Sequence, residues 1–315
     1  MARKITVSAI GTLLEFDAAV GEDYGSLADK SIEFYGRELA RVLPDKPDLI
    51  AFHETFDIPF FAIKQGDAQN YVRSALDKTL GYFIDTAKKN RCYIAYPCMR
   101  FDETGLLRNT IFIIDRGGEI CGYYDKNHCI HSEIENYGVK TSDREGIVDL
   151  DFGRVGLLNC FDLNFEKFMA KYQRKGIDLL LFCSHYHGSF MQEYWAYSCR
   201  AHMLSAIKRG PCRVLAPTGE VLGQSSNYYC NVTRTINLDT RVAHINYNEA
   251  KFRAAKEKYG SGFLVSDTPY LAAVTISSEM DGISIDDLKS EFKFELLDEY
   301  FDRYLKYREN ELSLQ

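Results

Sequence analysis

The chain has 315 residues, of which 46% are hydrophobic, so it can form one large α/β domain or two domains of average size. Its formal net charge is −7 at pH 7, and it has neither a block of consecutive basic residues nor an apolar run of membrane-spanning length, which argues against nucleic acid and membranes as partners. Nine cysteines at irregular spacing, without a C-x-x-C pair, favour neither a disulfide framework nor a structural zinc site.

The N-terminal sequence MARKITVSAIGTLLEF predicts a strand, because Ile5, Val7 and Ala9 alternate with other residues. A secretory signal peptide also has basic residues before an apolar run, but here Glu15 and Asp17 follow without a small-residue cleavage site. We therefore expect this segment to be the first strand of a mature cytoplasmic protein.

Helix and strand patterns alternate along most of the chain. Apolar residues at helical spacing predict one helix that ends before Pro44 and a second that covers residues 72–87. Short apolar runs predict strands at 49–52, 92–95, 155–159 and 177–183, and a glycine-containing turn joins two more strands at 110–114 and 120–124. This alternation favours the α/β class.

Three reactive side chains follow three of these strands. Glu54 comes after the strand LIAF, Lys126 after ICGYYD, and Cys160 after VGLLN, inside a predicted β-α-β unit. The carboxyl edge of such strands is where ligands bind in open α/β sheets, and parallel or suitably paired strands would bring the three groups to one edge. A lone cysteine is by default a small buried apolar residue, and a lone loop carboxylate or lysine is by default solvated. The shared position of the three groups instead predicts one reactive site.

These three groups are chemically complementary. A carboxylate can take the proton of a thiol, the resulting thiolate is a nucleophile, and an ammonium stabilises the oxyanion that forms on attack at a carbonyl or nitrile. Glu54, Lys126 and Cys160 are thus sufficient for acyl transfer without a metal ion or an organic cofactor.

The segments FHETFD, YYDKNHC and GRVGLLNCFDLNFEKF, in this order, resemble the three motifs of the nitrilase superfamily of carbon–nitrogen hydrolases. The resemblance covers residues 4 to 240 and implies a four-layer αββα sandwich. It also implies that Glu54 is the general base, Lys126 the oxyanion stabiliser and Cys160 the nucleophile. On this basis we expect the backbone N–H of Phe161 to share the oxyanion with Lys126.

The resemblance assigns further residues near the lysine and the cysteine. A second glutamate, which positions the hydrolytic water in the family, corresponds to Glu133 or Glu135, and the spacing in KNHCIHSE favours Glu133. An exposed loop acid is the alternative for this position. Asp162 resembles the aspartate that ties down the turn at the nucleophile. Asn164 stands where many members carry an arginine, which argues against recognition of a substrate carboxylate by an arginine at that position.

His185 and His187 flank Tyr186 after the strand IDLLLFCS. A dyad of Cys160 with a histidine is a rival mechanism, and the H-x-H pair could bind a metal ion. Neither alternative explains the carboxylate and the lysine, and the pair lacks an evident third ligand, so we expect no metal site. The residues that we expect to contact substrate are Phe161, Tyr186, His187 and His128.

The composition changes towards the C-terminus. We therefore divide the chain into a carbon–nitrogen hydrolase domain at 1–245 and a C-terminal extension at 246–315, which packs on the sandwich or on a partner subunit. Residues 285–305 have an apolar, strongly aromatic stripe that predicts one amphipathic helix. Members of the superfamily commonly pair through helices and C-terminal segments, which favours a homodimer or higher homo-oligomer. A stripe that only covers its own core is the alternative.

The predicted reaction is hydrolysis of a nonpeptide C–N bond in a small amide or carbamoyl compound, through a thioester at Cys160 and with release of ammonia. The same groups would serve a nitrilase or an amide-forming acyltransferase, because each forms a covalent adduct at the same thiol. A catalytically silent ligand-binding relative is a further alternative, and the retention of all three groups argues against it. The sequence does not name the substrate.

Overall fold

The computed structural model describes residues 2–64 and 67–314. Its strands are β1 (Lys4–Ile10), β2 (Leu49–Phe52), β3 (Tyr93–Phe101), β4 (Leu107–Ile114), β5 (Ile120–Asp125), β6 (Ile147–Leu150), β7 (Gly153–Asn159), β8 (Leu179–Ser184), β9 (His202–Ile207), β10 (Arg213–Leu215), β11 (Val221–Gln224), β12 (Asn231–Asn237), β13 (Thr240–His244), β14 (Phe263–Asp267) and β15 (Ala273–Ser278). Its α-helices are α1 (Tyr24–Val42), α2 (Ala68–Asn90), α3 (His131–Tyr137), α4 (Glu166–Tyr172), α5 (Phe190–Cys199), α6 (Glu249–Tyr259), α7 (Ile285–Phe292) and α8 (Leu297–Ser313). Over the residues described, none of these helices combines the length and the apolar character needed to cross a membrane.

Two six-stranded sheets form the centre of the molecule. The first has the strand order β12-β1-β2-β3-β4-β5, and β1, β2 and β3 in it are parallel, with Val7 opposite Leu49. The second has the order β11-β10-β9-β8-β7-β6, and β7, β8 and β9 in it are parallel, with Asn159 opposite Cys183. The β-α-β unit predicted around Cys160 is formed by β7, α4 and β8.

The two sheets pack face to face, and helices cover their outer faces. In β2, Leu49 and Ala51 belong to the same buried cluster as Leu181 of the second sheet, whereas Ile50 and Phe52 belong to a cluster with α1 and α2. This separation follows from the alternation of side chains along a strand. The helix residues in these clusters are Tyr35 and Leu39 of α1, Phe83 of α2, Tyr172 of α4 and Trp195 of α5. The predicted four-layer αββα sandwich is confirmed.

The C-terminal part of the chain forms a third, smaller sheet with the order β13-β15-β14. Its core consists of apolar side chains from the sheet and from α6 and α7, among them Phe252, Phe263, Ile276 and Leu288. Two ion pairs join α8 to the sandwich: Arg174 lies 2.8 Å from Asp302, and Arg200 lies 2.9 Å from Asp298. Leu297 of α8 also packs with Val242 and Ala273 of the small sheet and with Tyr197 of α5, so both charged and apolar groups join the C-terminal part to the sandwich.

The apolar stripe at 285–305 does not form one helix. α7 ends at Phe292, and Lys293 adopts a left-handed conformation with φ +58° before α8 begins. Asn248 stabilises this break, because its Nδ2 donates to the carbonyl of Glu295 at 2.8 Å and its Oδ1 accepts from the N–H of Glu295 at 3.0 Å. The prediction of a single helix was wrong because these hydrogen bonds come from a residue 47 positions away, which local periodicity does not reveal.

Candidate active site

Cys160 lies at the carboxyl end of β7, where the strand passes into a 3₁₀ turn that covers Cys160–Asn164. Its φ of +51° is in the left-handed region that residues with a Cβ rarely adopt. Such a conformation costs about 1–2 kcal/mol, so the surrounding structure must hold it in place. The strained turn brings the thiol to the edge of the second sheet instead of into its core.

A buried carboxylate holds this turn. Asp162 Oδ2 accepts hydrogen bonds from the N–H of Asn159 at 3.1 Å and from the hydroxyl of Tyr124 at 2.7 Å. Asp162 Oδ1 accepts from the N–H of His128 at 2.9 Å and lies 2.8 Å from the Nδ1 of the same residue. Asp162 thus connects the turn after β7, in the second sheet, to the segment after β5, in the first sheet. That segment carries Lys126.

Lys126 and two glutamates form a buried ionic cluster beside the thiol. Lys126 Nζ lies 2.7 Å from Glu54 Oε1 and 2.8 Å from Glu133 Oε2, and its side chain is only 1% exposed. Asn109 Nδ2 donates to both carboxylates, at 2.8 Å to Glu54 and 2.6 Å to Glu133. Asn159 Nδ2 donates in turn to Asn109 Oδ1 at 2.8 Å. The two carboxylates are therefore oriented by one ammonium and one amide that they share.

The electrostatics of the site favour a neutral thiol beside an ionised carboxylate. Burial, together with the negative charge of Glu54, raises the pKa of Cys160 to about 12, although the charge of Lys126 opposes this change. Burial alone would raise the pKa of Glu54, but the charge and the hydrogen bond of Lys126 hold that pKa below its usual range. At neutral pH the proton therefore stays on the sulfur.

These groups lie in the wall of a cavity of about 330 Å³, a size suited to a small molecule. All four residues that were predicted to be catalytic are part of this wall: Glu54, Lys126, Glu133 and Cys160. Glu135, the alternative to Glu133, is exposed on α3. The apolar part of the wall contains Phe60, Met99, Ile130 and Tyr137. The cavity thus combines a reactive, charged region with an apolar region.

The four residues that were predicted to contact substrate are not part of the described wall, namely Phe161, Tyr186, His187 and His128. The ring of His128 stacks on Phe165 with the ring centroids 3.7 Å apart. The hydroxyl of Tyr186 accepts a hydrogen bond from Asn164 Nδ2 at 2.8 Å. The structure thus places His128 and Tyr186 in protein contacts around the turn after β7, and contact of all four residues with a substrate stays a prediction.

The two histidines of the H-x-H pair have different surroundings. His185 lines the cavity, and its Nε2 lies 2.7 Å from the carbonyl oxygen of Glu54. His187 Nδ1 accepts a hydrogen bond from the N–H of Ser189 at 3.1 Å. Within the described residues, no hydrogen bond joins either histidine to Cys160, and no three His, Cys, Asp or Glu side chains converge as a metal site would require. The contacts of His185 thus support the position of Glu54.

Sequence reasoning missed four polar residues of the cavity wall: Thr55, Asn109, Ser132 and Lys208. Asn109 had only a weak signal, because it lies between the polar residues Arg108 and Thr110 in β4, and only the structure shows that its amide is fully buried. Lys208, which follows β9, had none, since a lysine after a strand is solvated by default. Asn109 and Lys208 both extend the site beyond the three motifs: Asn109 donates to the two carboxylates, and Lys208 adds a second lysine to the wall.

Comparison with known proteins gives a family and two partial relatives. The model of the carbon-nitrogen hydrolase family matches residues 30–227. The chain is 27% identical over 95 residues to the 2-oxoglutaramate amidase of Bacillus subtilis (strain 168), which is 30% of this chain and 37% of that protein. It is 24% identical over 172 residues to the deaminated glutathione amidase of Dictyostelium discoideum, which is 50% of this chain and 59% of that protein. The matches therefore span less than two thirds of these relatives.

Among solved structures, the chain is similar to the NitFhit protein of C. elegans. The TM-score is 0.64 at 18% sequence identity, and the similarity covers 75% of this chain and 61% of that chain. At this level of identity the likeness supports the fold, and the fold agrees with the match to the family model. The family model spans more than half of the chain and includes the strand ends that carry Glu54, Lys126 and Cys160. The chain therefore belongs to the carbon-nitrogen hydrolase family.

Proposed function

We propose that this protein hydrolyses the C–N bond of a small amide or carbamoyl compound and releases ammonia. The observation that carries the proposal is the meeting of Glu54, Lys126 and Cys160 in the wall of one cavity. The similarity to relatives named 2-oxoglutaramate amidase and deaminated glutathione amidase supports an amide as the substrate.

In the proposed first half-reaction, Glu54 takes the proton of Cys160 while the sulfur attacks the substrate carbonyl. The ammonium of Lys126 and the backbone N–H of Phe161 stabilise the oxyanion that forms. Glu54 then gives the proton to the departing nitrogen, the C–N bond breaks and ammonia leaves. The acyl group stays on Cys160 as a thioester. The raised pKa of the thiol is compatible with this sequence, because the thiolate exists only while the C–S bond forms.

In the second half-reaction, a water molecule attacks the thioester. Glu54 takes a proton from this water, which Glu133 positions, and the C–S bond breaks as the acid leaves. The proton returns to the sulfur of Cys160, which restores the starting state. The hydrogen bonds from Asn109 to both glutamates support these paired roles, since they hold the two carboxylates in a constant relative orientation.

The proposal is tested by measuring ammonia release from the full-length protein with panels of primary amides, N-carbamoyl compounds and nitriles. We expect ammonia and a carboxylic acid in equal amounts from an amide, or ammonia, carbon dioxide and an amine in equal amounts from an N-carbamoyl compound. Rapid quenching followed by mass spectrometry should show the acyl adduct on Cys160. Turnover of nitriles alone would indicate a nitrilase, and transfer of the acyl group to an amine would indicate an acyltransferase. Neither ammonia nor an adduct from any panel would contradict the proposal and indicate a silent relative.

We further propose that the protein works in the cytoplasm. All nine of its cysteines are free thiols, and six of them are buried. Free thiols persist in a reducing compartment, whereas an oxidising one favours disulfides. A nucleophilic Cys160 would also be inactivated by oxidation to a sulfinic acid.

We also propose that the protein is a homodimer or a higher homo-oligomer that associates through α8. Leu297, at the start of α8, is 1% exposed, whereas Leu305 and Leu312 are 50% and 51% exposed. At 3.6 residues per turn, these three leucines share one face of the helix. The apolar face of α8 therefore extends past the part that packs against its own chain. A two-fold interface with a second copy would bury the exposed part of this face.

Light scattering should show the full-length protein as a dimer or larger at micromolar concentration. The double substitution Leu305→Glu and Leu312→Glu should shift it to a monomer that remains folded, because both side chains are half exposed within one chain. Lys306→Glu, on the opposite face of α8, is the matched control and should leave the assembly unchanged. A monomeric unmodified protein would show that α8 serves only its own chain.

A further inference from the structure

The wall of the catalytic cavity contains a cation that the proposed mechanism does not use. Lys208 follows β9 and is half-buried. Within the described part of the chain, its Nζ has neither an ion pair nor a hydrogen bond, whereas the ammonium of Lys126 contacts two carboxylates. Glu54 and Glu133 instead contact Lys126 and Asn109, so the charge of Glu54 attracts Lys208 only from a distance, without an ion pair.

A second cavity of about 340 Å³ adjoins the first, because Thr55, Phe60 and Lys208 belong to both walls. Arg209, the next residue, is exposed and lines the second cavity. Its guanidinium likewise makes no ion pair with any residue that the structure describes. Lys208 thus lies at the boundary between the two cavities, and Arg209 lies next to it in the wall of the second cavity, which contains one acid, the exposed Glu15.

The two cations are electrostatically unfavourable when the cavity holds no anion. Burial and the neighbouring charge of Arg209 both lower the pKa of Lys208. An ammonium in this environment is stabilised when an anion binds beside it, because the anion compensates both the lost hydration and the like charge. The same cavity wall also contains the apolar side chains Phe60 and Met99, which suit a short apolar stem between an amide and an anion.

We infer that Lys208, assisted by Arg209, binds an anionic group at the end of the acyl part of the substrate while the amide lies against Cys160. This inference rests on the proposed function and narrows its substrate class to amides whose acyl chain ends in an anion such as a carboxylate. Lys208 is then a specificity-determining residue that acts on substrate binding. The bond cleavage itself remains with the cluster at Lys126.

The test compares monoamides of dicarboxylic acids with uncharged amides of the same chain length. The charged probes are succinamate, glutaramate and adipamate, and the uncharged counterparts are butanamide, pentanamide and hexanamide. Calorimetry measures their binding to the full chain with Cys160→Ala, which cannot turn them over. We expect at least one charged probe to bind about tenfold to a hundredfold more tightly than its counterpart, the size of one charge-assisted hydrogen bond.

Substitutions in the same Cys160→Ala background assign the effect to Lys208. Lys208→Met should remove the preference for the charged probe and leave binding of the uncharged probe unchanged. Lys208→Arg should retain most of the preference for the charged probe. Lys89→Met, which removes an exposed lysine of α2, is the matched control and should have no effect. In the chain with an intact Cys160, the preference for charged over uncharged amides should also appear in kcat/KM, mainly as a lower KM for the charged amides, and Lys208→Met should remove it.

The outcomes separate this inference from the proposed function. Equal binding of charged and uncharged probes, or a preference that survives Lys208→Met, overturns the inference, even if amides are hydrolysed. A preference that Lys208→Met removes, without hydrolysis of any amide by the intact protein, supports anion binding at Lys208 and contradicts the proposed function.

Discussion

Replacing Cys160 by alanine should abolish ammonia release from every amide that the unmodified protein hydrolyses. The loss should reach several orders of magnitude, because no other group can form the thioester. The fold should survive, since alanine keeps the Cβ and therefore the same strain at φ +51°, and only the sulfur is removed. Steady-state ammonia assays and thermal unfolding of the same sample measure the two effects separately.

Two further substitutions serve as controls for the Cys160→Ala result. Cys121→Ala removes an exposed thiol on β5 and should retain full activity. Cys160→Ser keeps a hydroxyl in the same place, but that hydroxyl is a much weaker nucleophile, so the variant should be nearly as inactive as Cys160→Ala. Substantial activity in a well-folded Cys160→Ala sample would disprove the assignment of the nucleophile.

Replacing Lys126 by methionine should lower kcat by about a hundredfold or more, because the charge that stabilises the oxyanion is lost. It should also change the pH dependence. The charge of Lys126 is what holds the pKa of Glu54 below its usual range, so without that charge burial should raise this pKa. The base would then be ionised only at higher pH, and the acidic side of the pH–rate profile should move to higher pH. Measurements of kcat and KM across the pH range test both effects.

The Lys126→Met variant should also be less stable by about 3–5 kcal/mol at neutral pH, because a buried carboxylate loses its counterion. A lowered folded-state pKa of Glu54 contributes stability that is present above the unfolded pKa and is lost as the pH falls through the folded pKa. The free energies of unfolding of the unmodified protein and of Lys126→Met, measured with denaturant, should therefore become more similar at acidic pH.

Controls for Lys126 separate charge from side-chain volume and from general damage. Lys126→Arg keeps the positive charge and should retain more stability than Lys126→Met. Lys140→Met, which removes an exposed lysine, should alter neither kinetics nor unfolding. Kinetics must be measured under conditions in which each variant is fully folded. If Lys126→Met raises only KM, then Lys126 merely binds substrate and the three-residue assignment is wrong.

The strands that carry the site could be predicted because their sequence signals are local. The apolar run at 49–52 is β2 with the same limits, and the run at 155–159 lies within β7. The positions of the strand ends relative to one another could not be predicted from local signals. Glu54 and Lys126 follow strands of the first sheet and Cys160 follows a strand of the second, so their meeting depends on how two sheets stack. No pattern within a single strand encodes that stacking.

The residues that escaped prediction depend on distant contacts. Lys208 could not be predicted as a site residue because it lines two cavities together with Thr55 and Phe60, which are far from it in sequence. The break between α7 and α8 depends on Asn248, whose amide holds the turn from outside both helices. Long-range hydrogen bonds and cavities arise only after the chain has folded, so residue spacing alone could not indicate them.

The ionic cluster around Lys126 also determines how much charge the cavity must accommodate during a reaction. One ammonium and two carboxylates, Glu54 and Glu133, sum to −1 when the thiol is neutral (+1 − 2 = −1). Proton transfer from sulfur to Glu54 and attack on a carbonyl only relocate this charge, so the sum is conserved from resting state to oxyanion. A poorly hydrated environment penalises the gain of a charge far more than its displacement over a few ångströms. The cluster at Lys126 can therefore remain poorly hydrated throughout turnover without recruiting a counterion of its own, and kcat for the chemical step should depend little on ionic strength.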